Sequence, residues 1–254
     1  MMKMIDMDAH PPFFTMNMDY LGEINCSKFF AQLKRAGIDT ACGTLFVQPQ
    51  FFEQQDIAEA IKQLNKKTME LALLEPRYIP VLWVHPECAV DSLEQLKQYL
   101  PLGARIIEVE AAWLEDTKMQ PILLYAQEKN VALSLRGATP EQIISLTESF
   151  PTLKILVGGI SDRAFTPTRT KEILEKCSHV YLKVSGLMWS GNYVLHEWSN
   201  RLNKERLLFG TGYPDCNPAT RVAAAVWELR DQSESVNNMI FSCNARNIIE
   251  EVSE

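Results

Sequence analysis

Eight short apolar runs alternate with longer amphipathic segments along the 254 residues of the chain. The longer segments, such as 56–74 and 92–100, carry apolar residues three or four positions apart, as helices that bury one face do. Segment 139–150 begins with a capping box, because Thr139 is followed three residues later by Gln142. The predicted strands span residues 4–10, 38–46, 78–86, 104–111, 131–137, 153–159, 180–186 and 206–214. This alternation predicts an α/β protein.

Eight strand–helix units in about 250 residues predict a (β/α)8 TIM barrel. An open, doubly wound parallel sheet is the alternative, but the first strand is not followed by the glycine-rich phosphate loop of that fold. No linker, low-complexity segment or charge block interrupts the alternation. We therefore predict one domain over residues 1–254, with an additional C-terminal helix that contains residues 244–249.

The composition argues against several functional classes. A net charge of −7 and a pI near 5.3 disfavour nucleic-acid binding, which needs a basic patch. No run of 18 apolar residues is present and the first residues contain no apolar signal core, so neither a membrane span nor secretion is predicted. The six cysteines are scattered and form no C-x-x-C pair, which favours reduced thiols in a cytoplasmic protein.

Polar residues gather at the carboxyl ends of the predicted strands, where the active sites of (β/α)8 barrels lie. Asp8 and His10 occupy alternate positions of the first strand and point the same way. With Arg136, at the end of the fifth strand, they are the predicted catalytic residues. The other polar residues at these ends are Thr44, Gln48, His85, Glu87, Glu108, Glu110, Asp162, Arg163, Lys183, Ser185, Thr211 and Asp215. The predicted substrate-binding residues among them are His85, Glu108, Glu110, Lys183, Ser185 and Asp215.

Each candidate also has a purely structural interpretation. Asp8 and His10 form either an acid–base pair, in which Asp8 makes His10 more basic, or a brace of the barrel mouth. Arg136 either neutralises inward-facing glutamates or binds a substrate carboxylate through two hydrogen bonds. Lys183 is an anchor for an anion, an amine of lowered pKa or an ion-pair partner of those glutamates. His85 either contacts substrate or caps the chain. The aromatic residues after strand ends, which wall a small pocket or pack between helices, are Phe13, Phe14, Trp113, Trp189 and Tyr213.

Five motifs resemble the amidohydrolase-related metal-dependent hydrolases, in the branch that contains aminocarboxymuconate decarboxylase-like proteins and dicarboxylate lactonases. The motifs are IDMDAH (5–10), FPTLKILVGG (150–159), VYLKVSG (180–186), RLLFGTGYP (206–214) and NARNII (244–249). They follow the family's order and cover essentially the whole chain. The resemblance implies a TIM barrel that acts as a hydrolase or lyase, and it implies a homodimer.

The family's metal ligands are largely replaced in this sequence. In the family the first strand ends D-x-H-x-H and binds a divalent metal such as zinc, whereas here Asp8 replaces the first of those histidines and His10 matches the second. Arg136 stands where the fifth strand brings another histidine, and residues 158–159 read Gly-Gly instead of Gly-His. Residues 210–214 read GTGYP and lack the aspartate of the eighth strand.

Catalytic zinc needs three protein ligands, so the resemblance leads us to expect a degenerate site and no cofactor. Asp8 and His10 are the expected ligands of any metal that binds. Arg136 is expected to fill the vacated metal position and to pair with Asp8, Glu108 or Glu110. The predicted function is a metal-independent hydrolase or lyase reaction on a small carboxylate-bearing molecule such as a lactone. The alternative is a non-catalytic family member that binds a metabolite or a protein partner.

Overall fold

Within the residues that the structure describes, eight parallel strands form one nearly closed barrel. The computed structural model describes residues 3–18, 22–48, 50–53, 56–158, 166–186 and 194–250. The strands are β1 (Met4–Asp6), β2 (Ile38–Gly43), β3 (Tyr78–Trp83), β4 (Ile106–Glu110), β5 (Ala132–Arg136), β6 (Ile155–Gly158), β7 (Val180–Val184) and β8 (Leu207–Phe209). Each strand pairs in parallel with the next one along the chain. The predicted TIM barrel is confirmed, and every strand ends earlier than predicted.

The first strand shows why the predicted strands extend too far along the chain. Asp6 is fully buried, and its carboxylate accepts hydrogen bonds from the Asp8 nitrogen at 3.1 Å and from the Thr211 nitrogen and Oγ1 at 2.9 and 2.6 Å. Burial raises the pKa of Asp6 to about 6. Because β1 ends at Asp6, Asp8 and His10 reach the barrel mouth from the following loop and not through the alternation of a strand.

The seam between β1 and β8 closes the barrel. The Met7 nitrogen donates to the Phe209 oxygen at 2.9 Å, and the Gly212 nitrogen donates to the Asp8 oxygen at 2.8 Å. These backbone bonds continue the strand pairing beyond the residues that form regular ladders. The first and last strands of the barrel therefore meet beside the carboxyl ends of the strands.

Helices cover the outside of the barrel. They are α1 (Cys26–Ala36), α2 (Gln50–Glu53), α3 (Ile57–Leu74), α4 (Ala89–Tyr99), α5 (Gln120–Glu128), α6 (Pro140–Ser149), α7 (Pro167–Lys176), α8 (Val194–Arg201), α9 (Pro218–Glu228), α10 (Glu234–Asn238) and α11 (Asn244–Ile249), with a π-helical turn at Met239–Cys243. The capping box of α6 is confirmed, since Thr139 and Gln142 exchange two hydrogen bonds. The sequence pattern does not predict the antiparallel ribbon of Met16–Met18 and Gly22–Ile24.

The apolar core has one part inside the barrel and another between the strands and the helices. The residues of the inner part are Ile5, Met7, Cys42, Val81, Ile106, Ala132, Leu156, Leu208, Ala245 and Ile248. The last two belong to α11, which closes the end of the barrel opposite the mouth. In β4, Ile107 and Val109 join the outer part. Glu108 and Glu110 therefore face the barrel interior, as the alternation predicts.

Four positions singled out in the sequence lie outside the described residues: Gly159, Asp162, Arg163 and Trp189. Every helix in the described part of the chain is too short or too polar to cross a membrane.

Thr211→Val tests the seam. The change keeps the shape of the side chain but removes the hydroxyl that donates to the buried Asp6 carboxylate. We expect the free energy of unfolding to fall by about 1–3 kcal/mol, the cost of leaving a buried acceptor unpaired. Thr211→Ser keeps the donor and is the matched control. Urea unfolding followed by circular dichroism measures both variants, and wild-type stability of Thr211→Val would contradict the role of this contact.

Candidate active site at the barrel mouth

A buried ammonium group lies at the centre of the barrel mouth. The Nζ atom of Lys183, a residue only 3% exposed, donates to Oδ1 of Asp8 at 2.8 Å and to Oγ of Ser134 at 3.0 Å. It also lies 3.7 Å from Oε2 of Glu108. Burial lowers the pKa of Lys183, but Asp8 and Glu108 outweigh burial and raise that pKa above its ordinary value. Lys183 is therefore a fixed positive charge and not an amine of lowered pKa.

Glycines at two strand ends make room for this ion pair. A Cβ atom at Gly158 would lie 2.5 Å from Cε of Lys183 and 3.0 Å from its Nζ. A Cβ atom at Gly210 would lie 2.7 Å from Cβ of Asp8 and 2.8 Å from Cβ of Ser185. Any side chain at either position would force the charged groups to move, so both glycines are part of the site.

Both oxygens of the Asp8 carboxylate are engaged. Oδ1 accepts from Lys183, and Oδ2 accepts from Oγ of Ser185 at 2.5 Å. Nε2 of His10 lies 3.5 Å from Oδ1. Burial raises the pKa of Asp8, but Lys183 and His10 outweigh it and hold that pKa well below its usual value. Asp8 is therefore the counter-ion of Lys183, a contact that neither sequence-based interpretation of Asp8 included, and its role as the acid–base partner of His10 stays a prediction.

His10 is the group in the mouth best placed to move a proton. Its Nδ1 atom lies 3.0 Å from Oγ1 of Thr44 and 3.2 Å from the Thr44 carbonyl oxygen. A carbonyl oxygen only accepts, so Nδ1 carries the hydrogen in that contact. Nε2 is then the nitrogen available for proton exchange with a molecule in the mouth.

Glu108 keeps one carboxylate oxygen without a hydrogen bond. Oε2 accepts from Oγ of Ser134 at 2.8 Å, whereas Oε1 is buried and has no hydrogen-bond partner in the described part of the chain. Burial raises the pKa of Glu108, but Lys183 and Arg136 outweigh burial and lower it. The site thus contains a buried anion with an unused acceptor, which is a costly arrangement in a protein interior.

Arg136 lies at the rim of the mouth. Its side chain is 46% exposed, with Nη1 at 3.8 Å from Oε1 of Glu108 and Nε at 3.9 Å from Oε1 of Glu110. Its Cζ atom lies 5.6 Å from the ring centre of Trp83. Glu108, and more weakly Glu110, raise the pKa of Arg136, and burial raises the pKa of Glu110. The predicted pairing with the glutamates is confirmed, but the prediction that Arg136 provides the central charge is wrong, because Lys183 does so.

Two cavities open at the mouth and share a wall. The charged cavity, of about 720 Å³, is lined by Asp8, Gly158, Lys183, Ser185, Tyr213 and Asp215. The apolar cavity, of about 580 Å³, is lined by Leu45, Val47, Phe52, Ile61, Trp83 and Trp113. The shared wall consists of His10, Phe46, Glu110 and Arg136. A molecule that spans both cavities meets charged groups at one end and apolar groups at the other.

The structure does not bring His85 to either cavity. Its Nδ1 atom accepts from the Glu87 nitrogen at 3.1 Å and so caps the turn after β3, and its ring packs 4.2 Å from that of Trp113. The predicted substrate-binding role of His85 is therefore replaced by capping. Ser185 and Asp215 do lie at the charged cavity, and their contact with substrate stays a prediction.

Sequence reasoning did not assign three residues that shape the site: Ser134, Gly158 and Trp83. Ser134 and Arg136 lie two positions apart in β5 and face the same way. The alternation that turns Arg136 inward therefore also predicts an inward-facing Ser134. Gly158 carries no side chain for a pattern to register, and the need for it becomes visible only when Lys183 is in place.

Solved structures of several decarboxylases share this barrel. A 5-carboxyvanillate decarboxylase from Sphingomonas paucimobilis is similar with a TM-score of 0.75 and 13% identity, over 100% of both chains. A 2,6-dihydroxybenzoate decarboxylase from Rhizobium has a TM-score of 0.74 and 14% identity, over 98% of this chain and 99% of that one. A dihydroxybenzoic acid decarboxylase from Polaromonas has a TM-score of 0.71 and 15% identity, over 98% of this chain and 97% of that one. No family model and no curated protein matches the sequence. The resemblance to amidohydrolase-related proteins is confirmed for the fold.

The expectation that this kind of site holds no cofactor is wrong. Solved structures of similar decarboxylases contain bound manganese. The side chains at this mouth nevertheless do not fit a metal as they stand. In the described ranges, no group of three or more His, Cys, Asp or Glu side chains is arranged to hold a metal ion. Asp8, the expected ligand, is already bound by Lys183 and Ser185. A metal ion would have to displace the Lys183 ammonium from this carboxylate.

Lys183→Met tests the central ion pair. The change leaves Asp8 and Glu108 buried without their cation, so we expect the free energy of unfolding to fall by about 3–5 kcal/mol near neutral pH. Lys183 lowers the pKa of both carboxyls, so its stabilising effect is fully present above their ordinary pKa values and is lost as the pH falls below those values towards the lowered ones.

The loss measured by urea unfolding should therefore shrink towards about pH 4, where the carboxyls of the variant take up protons. Lys97→Met, which removes an exposed lysine paired with Glu94, is the control. A loss of equal size at both pH values would contradict this account.

Proposed function

We propose that this protein is an enzyme that acts on a small carboxylate-bearing molecule at the barrel mouth, and that the reaction is a decarboxylation. The observation that carries the proposal is the state of Arg136. Its guanidinium makes no hydrogen bond to any described residue, its nearest carboxylate oxygens lie at 3.8 and 3.9 Å, and it borders both cavities. Its donors are available for a substrate carboxylate, which an arginine binds through two parallel hydrogen bonds.

The two cavities indicate the shape of the substrate. The carboxylate would bind Arg136, and an apolar or aromatic body would fill the cavity lined by Trp83 and Trp113. Ligand sites of this kind are mostly apolar with a few polar groups that fix orientation. The similarity to decarboxylases named for aromatic acids supports this substrate class.

His10 is the proposed proton donor. Decarboxylation breaks the bond between the carboxyl carbon and its neighbour, releases carbon dioxide and leaves an electron pair on that neighbour, which then takes a proton. The protonated form of His10 carries hydrogen on both ring nitrogens and can deliver the proton from Nε2, since Nδ1 is held by Thr44. Glu108 and Glu110 stay beside Arg136 throughout, so the guanidinium still has ion-pair partners after the carboxyl carbon has left as neutral carbon dioxide and the remaining electron pair has taken up the proton.

Hydrolysis of a lactone is the second candidate. Glu110 favours it, because this carboxyl borders both cavities and burial raises its pKa, as suits a general base that activates water. Ring opening creates a carboxylate, which Arg136 would bind as product. A non-catalytic binder of the same molecules is the remaining alternative.

We also propose that residues 1–254 form one domain, that the protein forms a homodimer, and that it is cytoplasmic. The six cysteines are free, which supports a reducing environment for the last of these proposals.

His10→Ala tests the catalytic proposal. Wild type and variant are assayed on a panel of aromatic and aliphatic carboxylates for carbon dioxide release, and on lactones for acid release. On the substrate that wild type turns over, we expect kcat to fall by about 10²–10⁴-fold, the usual contribution of a positioned acid or base. His179→Ala, at the opposite end of the barrel, is the matched control and should keep wild-type kcat.

Arg136→Met separates binding from chemistry, because it should raise KM more than it lowers kcat. Lactone opening without carbon dioxide release would favour the second candidate. Binding of panel compounds without turnover by wild type would overturn the enzymatic proposal.

A further inference from the structure

We propose that the apolar body of the substrate is larger than one aromatic ring and carries no polar group at the end away from its carboxylate. This inference rests on the proposed function, which places a carboxylate on Arg136 and an apolar body in the neighbouring cavity. It deepens that function by naming the substrate class: carboxylates whose body is two fused or linked rings, or an apolar chain of similar size.

The first support is the size of the apolar cavity. Its volume of about 580 Å³ is nearly four times the roughly 150 Å³ that suffices for one benzene ring in an apolar cavity. A single ring would leave most of the lining without partner atoms, and a lining without partners gains no dispersion energy. A larger body makes the contacts that this cavity offers.

The second support is the way in which the cavity wall is held. Asn65 of α3 is only 1% exposed, and its side chain accepts from the Trp83 nitrogen at 2.8 Å and donates to the Trp83 oxygen at 2.9 Å. The ring centre of Trp83 lies 6.2 Å from that of Trp113. Ile61, on the same helix as Asn65, also lines the cavity. Because β3 and α3 are tied together here, this wall stays in place and does not close around a small ligand.

The third support is the distribution of polar groups around the cavity. The Cζ atom of Arg136 lies 5.6 Å from the ring centre of Trp83, so the aromatic wall begins beside the guanidinium. Among the described residues, the titratable side chains of the lining all lie in the wall shared with the charged cavity: His10, Glu110 and Arg136. The rest of the lining is Thr44, Leu45, Val47, Phe52, Ile57, Ile61, Trp83 and Trp113.

This distribution disfavours a polar group at the far end of the substrate. The hydroxyl of Thr44 already lies 3.0 Å from Nδ1 of His10. A hydroxyl or amino group deep in the cavity would therefore lose its water without gaining a charged partner, which is costly. The structure thus separates a polar end of the substrate, beside Arg136, from a wholly apolar end.

The experiment measures dissociation constants by isothermal titration calorimetry and does not depend on turnover. The probes are benzoate, naphthalene-2-carboxylate and 6-hydroxynaphthalene-2-carboxylate. We expect naphthalene-2-carboxylate to bind at least about tenfold more tightly than benzoate, because each buried apolar carbon is worth about fourfold in affinity. The distal hydroxyl should weaken binding of the naphthalene compound by about fivefold or more.

Cavity-filling variants locate the effect. Val47→Trp adds bulk to the lining, so it should remove the advantage of naphthalene-2-carboxylate and leave the affinity for benzoate nearly unchanged. Val226→Trp, at an exposed position of α9, is the matched control and should behave as wild type. If Val47→Trp does not fold, Ile61→Phe fills the same cavity from α3 and should have the same effect. Arg136→Met should weaken both compounds by a similar factor, since the carboxylate is common to both.

The outcomes separate this inference from the proposed reaction. Equal affinity for benzoate and naphthalene-2-carboxylate, no binding of either, or an advantage that survives both cavity-filling variants would overturn the inference. Tighter binding of naphthalene-2-carboxylate, lost in Val47→Trp, would support it even if wild type releases carbon dioxide from no compound of the panel. That last result would overturn the proposed decarboxylation alone.

Discussion

The ion pair between Lys183 and Asp8 organises the barrel mouth. An ammonium buried at 3% exposure is stable only when paired and hydrogen-bonded, and here Asp8, Ser134 and Glu108 surround it. The pair fixes Asp8, which in turn holds Ser185 and borders His10. Two glycines leave the space that the pair needs. The positions of the groups that could act on a substrate therefore depend on one buried contact.

The fold could be predicted because its signals are local and repeated. Eight apolar runs, helical spacing between them and the alternation in β4 each follow from backbone periodicity, and the structure confirms all three. Strand ends were less predictable. In β1 the regular strand pairing ends at Asp6, because its buried carboxylate binds Thr211. That residue lies 205 positions away in the sequence.

The site could be predicted as a set of residues but not as a geometry. The sequence pattern correctly predicted that four residues at strand ends lie around one cavity: Asp8, His10, Arg136 and Lys183. Which cation lies at the centre could not be read from the sequence, because both lie on inward-facing positions of barrel strands. The choice depends on Gly158, which opens a path for Lys183, and on the exposure of the rim where Arg136 packs beside Trp83.

The seam between β1 and β8 has a consequence for how this protein acquires its site during synthesis. Asp8 meets Lys183 across 175 residues, and Asp6 meets Thr211 across 205. A ribosome that adds about 5–20 residues per second leaves the first strand waiting for roughly ten seconds or more before its partner emerges. Until then, Asp8 and His10 stay in water with the oppositely charged lysine still unmade. The functional centre is therefore among the last parts of the molecule to assemble, and a nascent chain that has not yet reached Lys183 lacks the ion pair at its middle.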